Sequence, residues 1–155
     1  MIFALVHFLH AVAGVVWFGG ALFMALAVWP ALLSRPPAES KALFTALALP
    51  TKRVMATAGS LTPLLGIVRG TWLGPIQSVQ SLMTPYGATF LVAFFATVAL
   101  SIHGSRISAS LLEKVWAADG SLRAEARSEV RQSNLIALGL FVVVLVCMFL
   151  MKLGL

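Results

Sequence analysis

Charge is scarce in this sequence, and acidic charge scarcest of all. Of 155 residues, 10% are charged, with five Asp and Glu against eleven Lys and Arg. A soluble domain typically carries about 25% charged residues, so a water-solvated globule is excluded. The few charges are also clustered: residues 1–34, 54–68, 70–105 and 132–151 contain no Lys, Arg, Asp or Glu. With no carboxylate in any of these runs, neither a hard-cation site nor a buried acid–base pair can form within them. There is one cysteine, Cys147, which excludes a disulfide framework and a CxxC metal or redox pair and reads as a small lipid- or core-facing residue. The net charge of +6 comes without the interleaved basic and aromatic surface motifs that bind nucleic acid, so no nucleic-acid partner is expected.

Apolar residues fill the chain instead, at 60% of the total. A membrane crossing needs roughly 20 largely apolar residues. Four fit, and little chain remains for an extramembrane domain. The fold class expected is therefore all-α: a single four-helix transmembrane bundle over residues 1–155, its helices near 2–33, 51–72, 86–112 and 121–153. The N-terminal run lacks a basic leader and is too long for a signal peptide, and it reads as the first helix. That helix stops at Arg35-Pro36-Pro37, because proline cannot continue it. A linker is expected from Ala38 to Pro50, and Pro63 falls inside the second helix. Gly74, Pro75 and Pro85 mark a loop. Asp119-Gly120 signals a turn, and Ser121 is a candidate N-cap for the last helix.

Nine of the eleven basic residues fall after the first and third helices: Arg35, Lys41, Lys52, Arg53, Arg106, Lys114, Arg123, Arg127 and Arg131. Only Arg69 and Lys152 fall on the other side. The positive-inside rule then puts both termini on the outer face. The Arg123, Arg127 and Arg131 stripe reads as a solvated face against anionic headgroups or as a docking surface.

Ionisable groups within a membrane are functional candidates by default. Three are present: His7, His10 and His103. At 100° per residue, Phe3, His7, His10, Gly14, Trp17 and Ala21 share one face of the first helix. Thr89, Val92, Ala96, Ala99, His103 and Ser110 share a face of the third. Alanines beside a histidine leave space for a flat macrocycle, and they equally allow close helix packing. Imidazole binds haem iron, copper and zinc. With no other ligands in the spans, one histidine from each of two helices suits haem.

The run Leu9-His10-Ala11-Val12-Ala13-Gly14-Val15-Val16-Trp17-Phe18-Gly19-Gly20 resembles the first-helix signature of the copper-resistance D family and of the small four-helix (HemJ-type) protoporphyrinogen oxidases. Lys52-Arg53, Thr62-Pro63 and a third-helix histidine, His103, extend the resemblance along the chain. It implies a multi-pass protein of the bacterial cytoplasmic membrane with a b-type haem on His10 and His103 as the candidate second ligand; His7, on the same face as His10, is the other candidate for that place. The oxidases carry a lysine about three turns before that third-helix histidine. Thr89 to Phe94 has none, which favours a related haem protein in electron transfer or another membrane redox task over protoporphyrinogen oxidation.

Counting from Ile2 and Tyr86, the depths of His10 and His103 differ by roughly 13 Å at 1.5 Å per residue, too much for two ligands of one iron. A copper site of His7, His10 and the soft ligand Met83 is the alternative. A third reading is a non-catalytic accessory subunit of a larger membrane complex. Trp17 is a candidate to pack on a porphyrin. Arg53 and Arg69 are candidate partners for its propionates, with membrane anchoring and snorkelling as the competing roles. Gly14 and Gly19 permit tight packing within one chain or in a homo-oligomer.

Overall fold

A computed structural model of the chain describes the backbone of residues 1–155, and the side chains at all positions except 108, 109, 111 and 112. Four long helices account for most of it: α1 (Ile2–Leu33), α2 (Pro37–Gly70), α3 (Pro85–Val115) and α4 (Ala126–Lys152). A 3₁₀ turn, Gln80–Met83, precedes α3. Among the described residues, three segments are long and apolar enough to cross a membrane: Ile2–Leu33, Pro85–Ile107 and Ala126–Lys152. Their outer faces are as apolar as their cores. Leu5, Phe8, Val12 and Val15 on α1 are exposed, as are Val142, Val146 and Phe149 on α4. Contiguous apolar surface of that extent is unfavourable in water and natural in lipid. At 32 residues, α1 measures about 48 Å, longer than a hydrocarbon core of about 30 Å. It is not uniform: Met24–Val28 is π-helical. Pro30 follows at once, and its ring crowds the carbonyl four residues earlier, which the wider π turn relieves.

The second helix corrects the sequence expectation. It begins at Pro37, not near residue 51, and the expected linker from Ala38 to Pro50 is its first half. Pro37 occupies the first turn, where its missing N–H is no loss, and Pro36 stands before it in an extended conformation (ψ 140°). Pro50 and Pro63 both lie within the helix. Glu39 and Lys41 therefore ride on α2 rather than on a linker. The last helix differs too, starting at Ala126 rather than 121. Ser121 does not cap it: its N–H and hydroxyl both donate to Asp119 Oδ1, at 2.9 and 2.7 Å. These bonds hold the Asp119 carboxyl below its ordinary pKa. Gly120, at φ +83°, completes the turn, and Trp116 pairs with Leu122 in an isolated antiparallel bridge. The third helix accordingly ends at Val115.

Consecutive helices pair as antiparallel hairpins. Along α1 and α2, His10 meets Thr62, Trp17 lies over Gly59, Gly20 faces Met55, and Trp29 stacks near Phe44. Along α3 and α4, His103 meets Ser133 and Lys114 pairs with Glu129. Contacts within each hairpin are dense, whereas those between hairpins are few. Two clusters join the hairpins. Trp29, Leu32, Val115, Trp116, Ala126 and Val130 pack where the 34–36 and 116–125 connections lie. Nearer the middle, Trp17, Ala58, Leu100 and Phe141 form a second layer. Toward the end that gathers Phe3, Arg69, Leu73 and Tyr86, no such buried cluster is found among the described residues.

Glycine sets the approach of α1 to α2. A Cβ at Gly59 would stand 3.0 Å from the Trp17 ring, while one at Gly19 would meet nothing within 4 Å. Trp17 is held from its other side by Phe141, at 5.1 Å between ring centroids. Gly59→Ala is expected to lower stability by about 1–3 kcal/mol through overpacking. Gly19→Ala should be neutral or stabilising by up to about 1 kcal/mol, since alanine is the better helix former. Thermal unfolding of the two variants in detergent measures the difference.

Candidate functional site

The histidine of α1 nearest the middle of the membrane is also the one that the fold encloses. His10 is buried, and its Nδ1 lies 2.9 Å from the backbone carbonyl oxygen of Thr62 on α2. A carbonyl only accepts, so Nδ1 carries the proton and donates it. That fixes the tautomer and leaves Nε2 as an unprotonated base. The same carbonyl-anchored arrangement orients histidines that ligate metals. Gly66 makes it possible, because a Cβ there would come within 3.2 Å of His10 Cε1.

The ring borders a cavity between the hairpins, of about 60 Å³. Thr62, Gly66, Arg69 and Gly70 line it from α2, Tyr86, Phe90, Ala93 and Thr97 from α3, and Val144, Met148 and Met151 from α4. Residue order along the antiparallel helices gives the cavity a direction. Taking as outer the end of the molecule that holds both chain termini, His10, Thr62, Thr97 and Val144 close its inner end, and Arg69, Tyr86 and Met151 stand at its outer end. A second space, of about 310 Å³, lies beyond and is also walled by Arg69 and Tyr86, together with Phe3, Leu73, Gly74 and Pro75. Arg69 thus separates an inner cavity from an outer vestibule. Its Nε is buried without a hydrogen-bond partner, a condition shared among the described residues with Ser40 Oγ and Trp116 Nε1. Arg69 itself is half-buried, so it is this one N–H that lacks an acceptor, at a cost to the fold unless a ligand answers it.

The other residues singled out in the sequence are not brought to this cavity. His103 Nε2 is taken by Ser133, at 3.2 Å from its carbonyl oxygen and 3.3 Å from its hydroxyl. His103 therefore lies deeper than His10, on the α3–α4 seam. His7 is exposed and stacks on Phe3, with ring centroids 6.4 Å apart and planes 9° from parallel. Met83 is exposed in the 3₁₀ turn, and neither it nor His7 lines the cavity that His10 borders. Trp17 belongs to the packed layer with Ala58 and Phe141. Arg53 is exposed on α2, well inward of the cavity. Among the described residues no group of three or more His, Cys, Asp or Glu could hold a metal ion. Tyr86, Phe90 and Val144 are lining residues that the sequence did not single out, and Met148 and Met151 read there as packing filler. The signal available for the two methionines was their i, i+3 spacing on one face of α4.

No known protein family, curated protein or solved structure matches the chain.

The His10–Thr62 bond is expected to depend on the bare Cα at position 66. In the native chain, nitrogen NMR of the His10 ring in lipid should show a protonated Nδ1 and a bare Nε2. Gly66→Val should displace the ring, mix the two tautomers and lower stability by about 1–2 kcal/mol, the scale of a membrane hydrogen bond plus overpacking. Gly104→Val, where a Cβ meets nothing within 4 Å, should leave the His10 signals unchanged.

Proposed function

We propose that the chain is a b-type haem protein of a membrane, built as a four-helix transmembrane bundle, in which His10 would hold the haem iron, with a role in electron transfer or related redox chemistry. The observation that carries the reading is the pairing, around one cavity, of a carbonyl-anchored His10 and a half-buried Arg69 whose Nε has no hydrogen-bond partner. Haem needs both chemistries: a neutral imidazole for the iron and a cationic donor for a propionate carboxylate. Small residues at Gly66, Gly70 and Ala93 and rings at Phe90 and Phe94 give the apolar wall. Helical bundles commonly build cofactor sites between facing helices in this way.

The donors suit the group, whereas the space between the hairpins is too small for it as packed. A cavity of about 60 Å³ is smaller than the roughly 150 Å³ apolar cavity that takes up benzene. A porphyrin therefore enters only with the hairpins further apart at this level, and this seam is where contacts are fewest. When bound, haem would supply a one-electron couple. The chain's own part is to orient His10 through the Thr62 carbonyl, to answer a carboxylate with Arg69, and to exclude water with the rings of α3. His103, already bonded to Ser133, is not assigned to this iron.

The membrane architecture rests on related grounds. The apolar stretch of α2, residues 54–68, is too short to count as a crossing by itself, yet α2 pairs with α1 from His10 to Trp29. Val54, Leu61 and Leu64 are exposed as the lipid-facing residues of α1 are. With α2 as the fourth crossing, the nine basic residues fall toward one side, and both termini lie on the outer face of a bacterial cytoplasmic membrane. Copper alone at this cavity is the weaker reading. His7 and Met83 lie elsewhere, and the Arg69 charge opposes a bare cation.

The test is the absorption spectrum of the full chain, purified in detergent and supplied with haemin. The native protein should show a Soret band that shifts on reduction. His10→Ala should lose the bound chromophore, His103→Ala should keep it, and Arg69→Gln should weaken haem retention by about tenfold or more, the scale of one charge-assisted hydrogen bond. A colourless native protein, or a His10→Ala variant that binds haem as well as the native chain, would overturn the reading.

A further inference from the structure

The connection from α2 to α3, residues 71–84, lies within a run, 70–105, that contains no Lys, Arg, Asp or Glu. It brings three large apolar side chains to the surface: Trp72, Val79 and Met83 are 82%, 72% and 85% exposed. Single exposed apolar residues are ordinary, whereas three on one short, charge-free connection mark a surface that meets something other than water.

The polar groups of the connection are answered largely from within it. Gln77 donates its side-chain amide to the carbonyls of Thr71 and Gly74. Ser78 and Ser81 are bonded reciprocally: the N–H of each donates to the hydroxyl of the other, at 3.1 and 3.3 Å, and the Ser81 hydroxyl donates to the Ser78 carbonyl. Thr84 Oγ1 donates to the Ser81 carbonyl at 2.7 Å and accepts from the Gly87 N–H at 3.1 Å. In bulk water solvent would serve such groups. Where water is scarce, internal pairing is what lets an irregular segment persist.

The connection is also held close to the helix ends. Leu73 and Ile76 donate backward to the carbonyls of Val68 and Gly70, and a Cβ at Gly74 would strike the carbonyl oxygens of Arg69 and Gly70. On the other limb, a Cβ at Gly87 would strike the backbone of Ser81 and Leu82. Gly87 lies in the first turn of Pro85–Ile107, which is long and apolar enough to cross a membrane. Both limbs thus stay at the level where hydrocarbon gives way to headgroups, a level that tryptophan favours.

We propose that residues 71–84 are an interfacial segment, with Trp72, Val79 and Met83 set into the headgroup–acyl boundary, so that the partner of this surface is lipid. This inference rests on the membrane architecture proposed above and is independent of haem. It also sets the depth of the vestibule beside Arg69, because Leu73, Gly74 and Pro75 of the same segment wall it.

The experiment uses the full chain carrying Cys147→Ser, reconstituted in vesicles of mixed phosphatidylcholine and phosphatidylglycerol. A nitroxide is attached to single cysteines introduced by Val79→Cys, Met83→Cys, Val142→Cys or Glu125→Cys. Val142 is an exposed residue of the apolar α4 surface and Glu125 an exposed residue of the 116–125 connection. Collision with oxygen, which concentrates in lipid, is compared with collision with a water-soluble nickel chelate. The oxygen-to-nickel ratio at positions 79 and 83 should lie several-fold above that at 125 and below that at 142. Lipids brominated near the headgroup end of their chains should quench the tryptophan fluorescence of the native chain more than that of Trp72→Phe. Labels at 79 and 83 as open to nickel as the one at 125, or equal quenching of the native chain and Trp72→Phe, overturn the proposal. Labels shielded from both reagents also overturn it, since a second copy or another protein then covers the surface. A label at 142 that is open to nickel overturns the membrane architecture and the proposal together.

Discussion

The bond from the His10 ring to the Thr62 carbonyl constrains much of the first hairpin. An imidazole has two nitrogens, and in a membrane each buried polar atom must be answered within the protein. Thr62 answers one of them with a backbone oxygen, whose second lone pair remains available inside a helix. Reaching that oxygen requires α1 and α2 to approach closely for several turns. Gly66 and Gly59 on α2 and Gly14 and Gly20 on α1 sit along that line, facing His10, Trp17, Thr62 and Met55. A side chain at Gly66 or Gly59 would press on the ring that it accommodates. The hairpin is close-packed because a polar ring has to be buried in it, and the same closeness places Trp17 against Phe141 of the other hairpin.

Between the hairpins the packing is graded. The inner end is held by the cluster of Trp29, Trp116 and Phe44, with ring centroids 5.0 Å apart between Phe44 and Trp116. The middle is held by Trp17, Leu100 and Phe141. Beyond that layer the seam carries the cavity, then Arg69, then the vestibule. Two rigid hairpins fixed at one end and loosely joined at the other can part at the loose end without disturbing either internal seam. Local opening of this kind draws on the regions with fewest buried apolar contacts.

Much of this organisation was legible in the residues. Charge-free runs announced the helices, and α1 ends where Pro36 and Pro37 require. Proline misled at α2, because Pro50 and the charges around it look like a linker. In fact Ala38 to Leu49 is made of good helix formers, and Pro37 occupies the position that a helix start favours. Ser121 misled at α4, since a serine before an apolar run resembles a cap, but Asp119 two residues earlier competes for its hydroxyl. For the site, periodicity identified His10 but could not rank it against His103. What separates them is a partner 52 residues away for one and 30 for the other, and neither Thr62 nor Ser133 announces itself as an acceptor, since both offer a backbone carbonyl. The depth difference between the two histidines was countable from the helix starts. The methionines were not legible, because an i, i+3 pair in an apolar helix acquires meaning only when a cavity lies against it.

Arg69 ties these strands together. With Arg69 in its wall, the cavity disfavours a bare cation, and under the haem reading proposed above it favours a group with a carboxylate and an apolar body. Such a group would touch α2 through Arg69, α1 through His10, and α3 and α4 through the apolar wall. It would therefore bridge the seam that the chain itself joins least. A ligand that binds only the assembled form stabilises it in proportion to its affinity and concentration. The chain's own contacts complete each hairpin, while those between the hairpins are few, and the unpartnered Nε of Arg69 lies on that sparse seam.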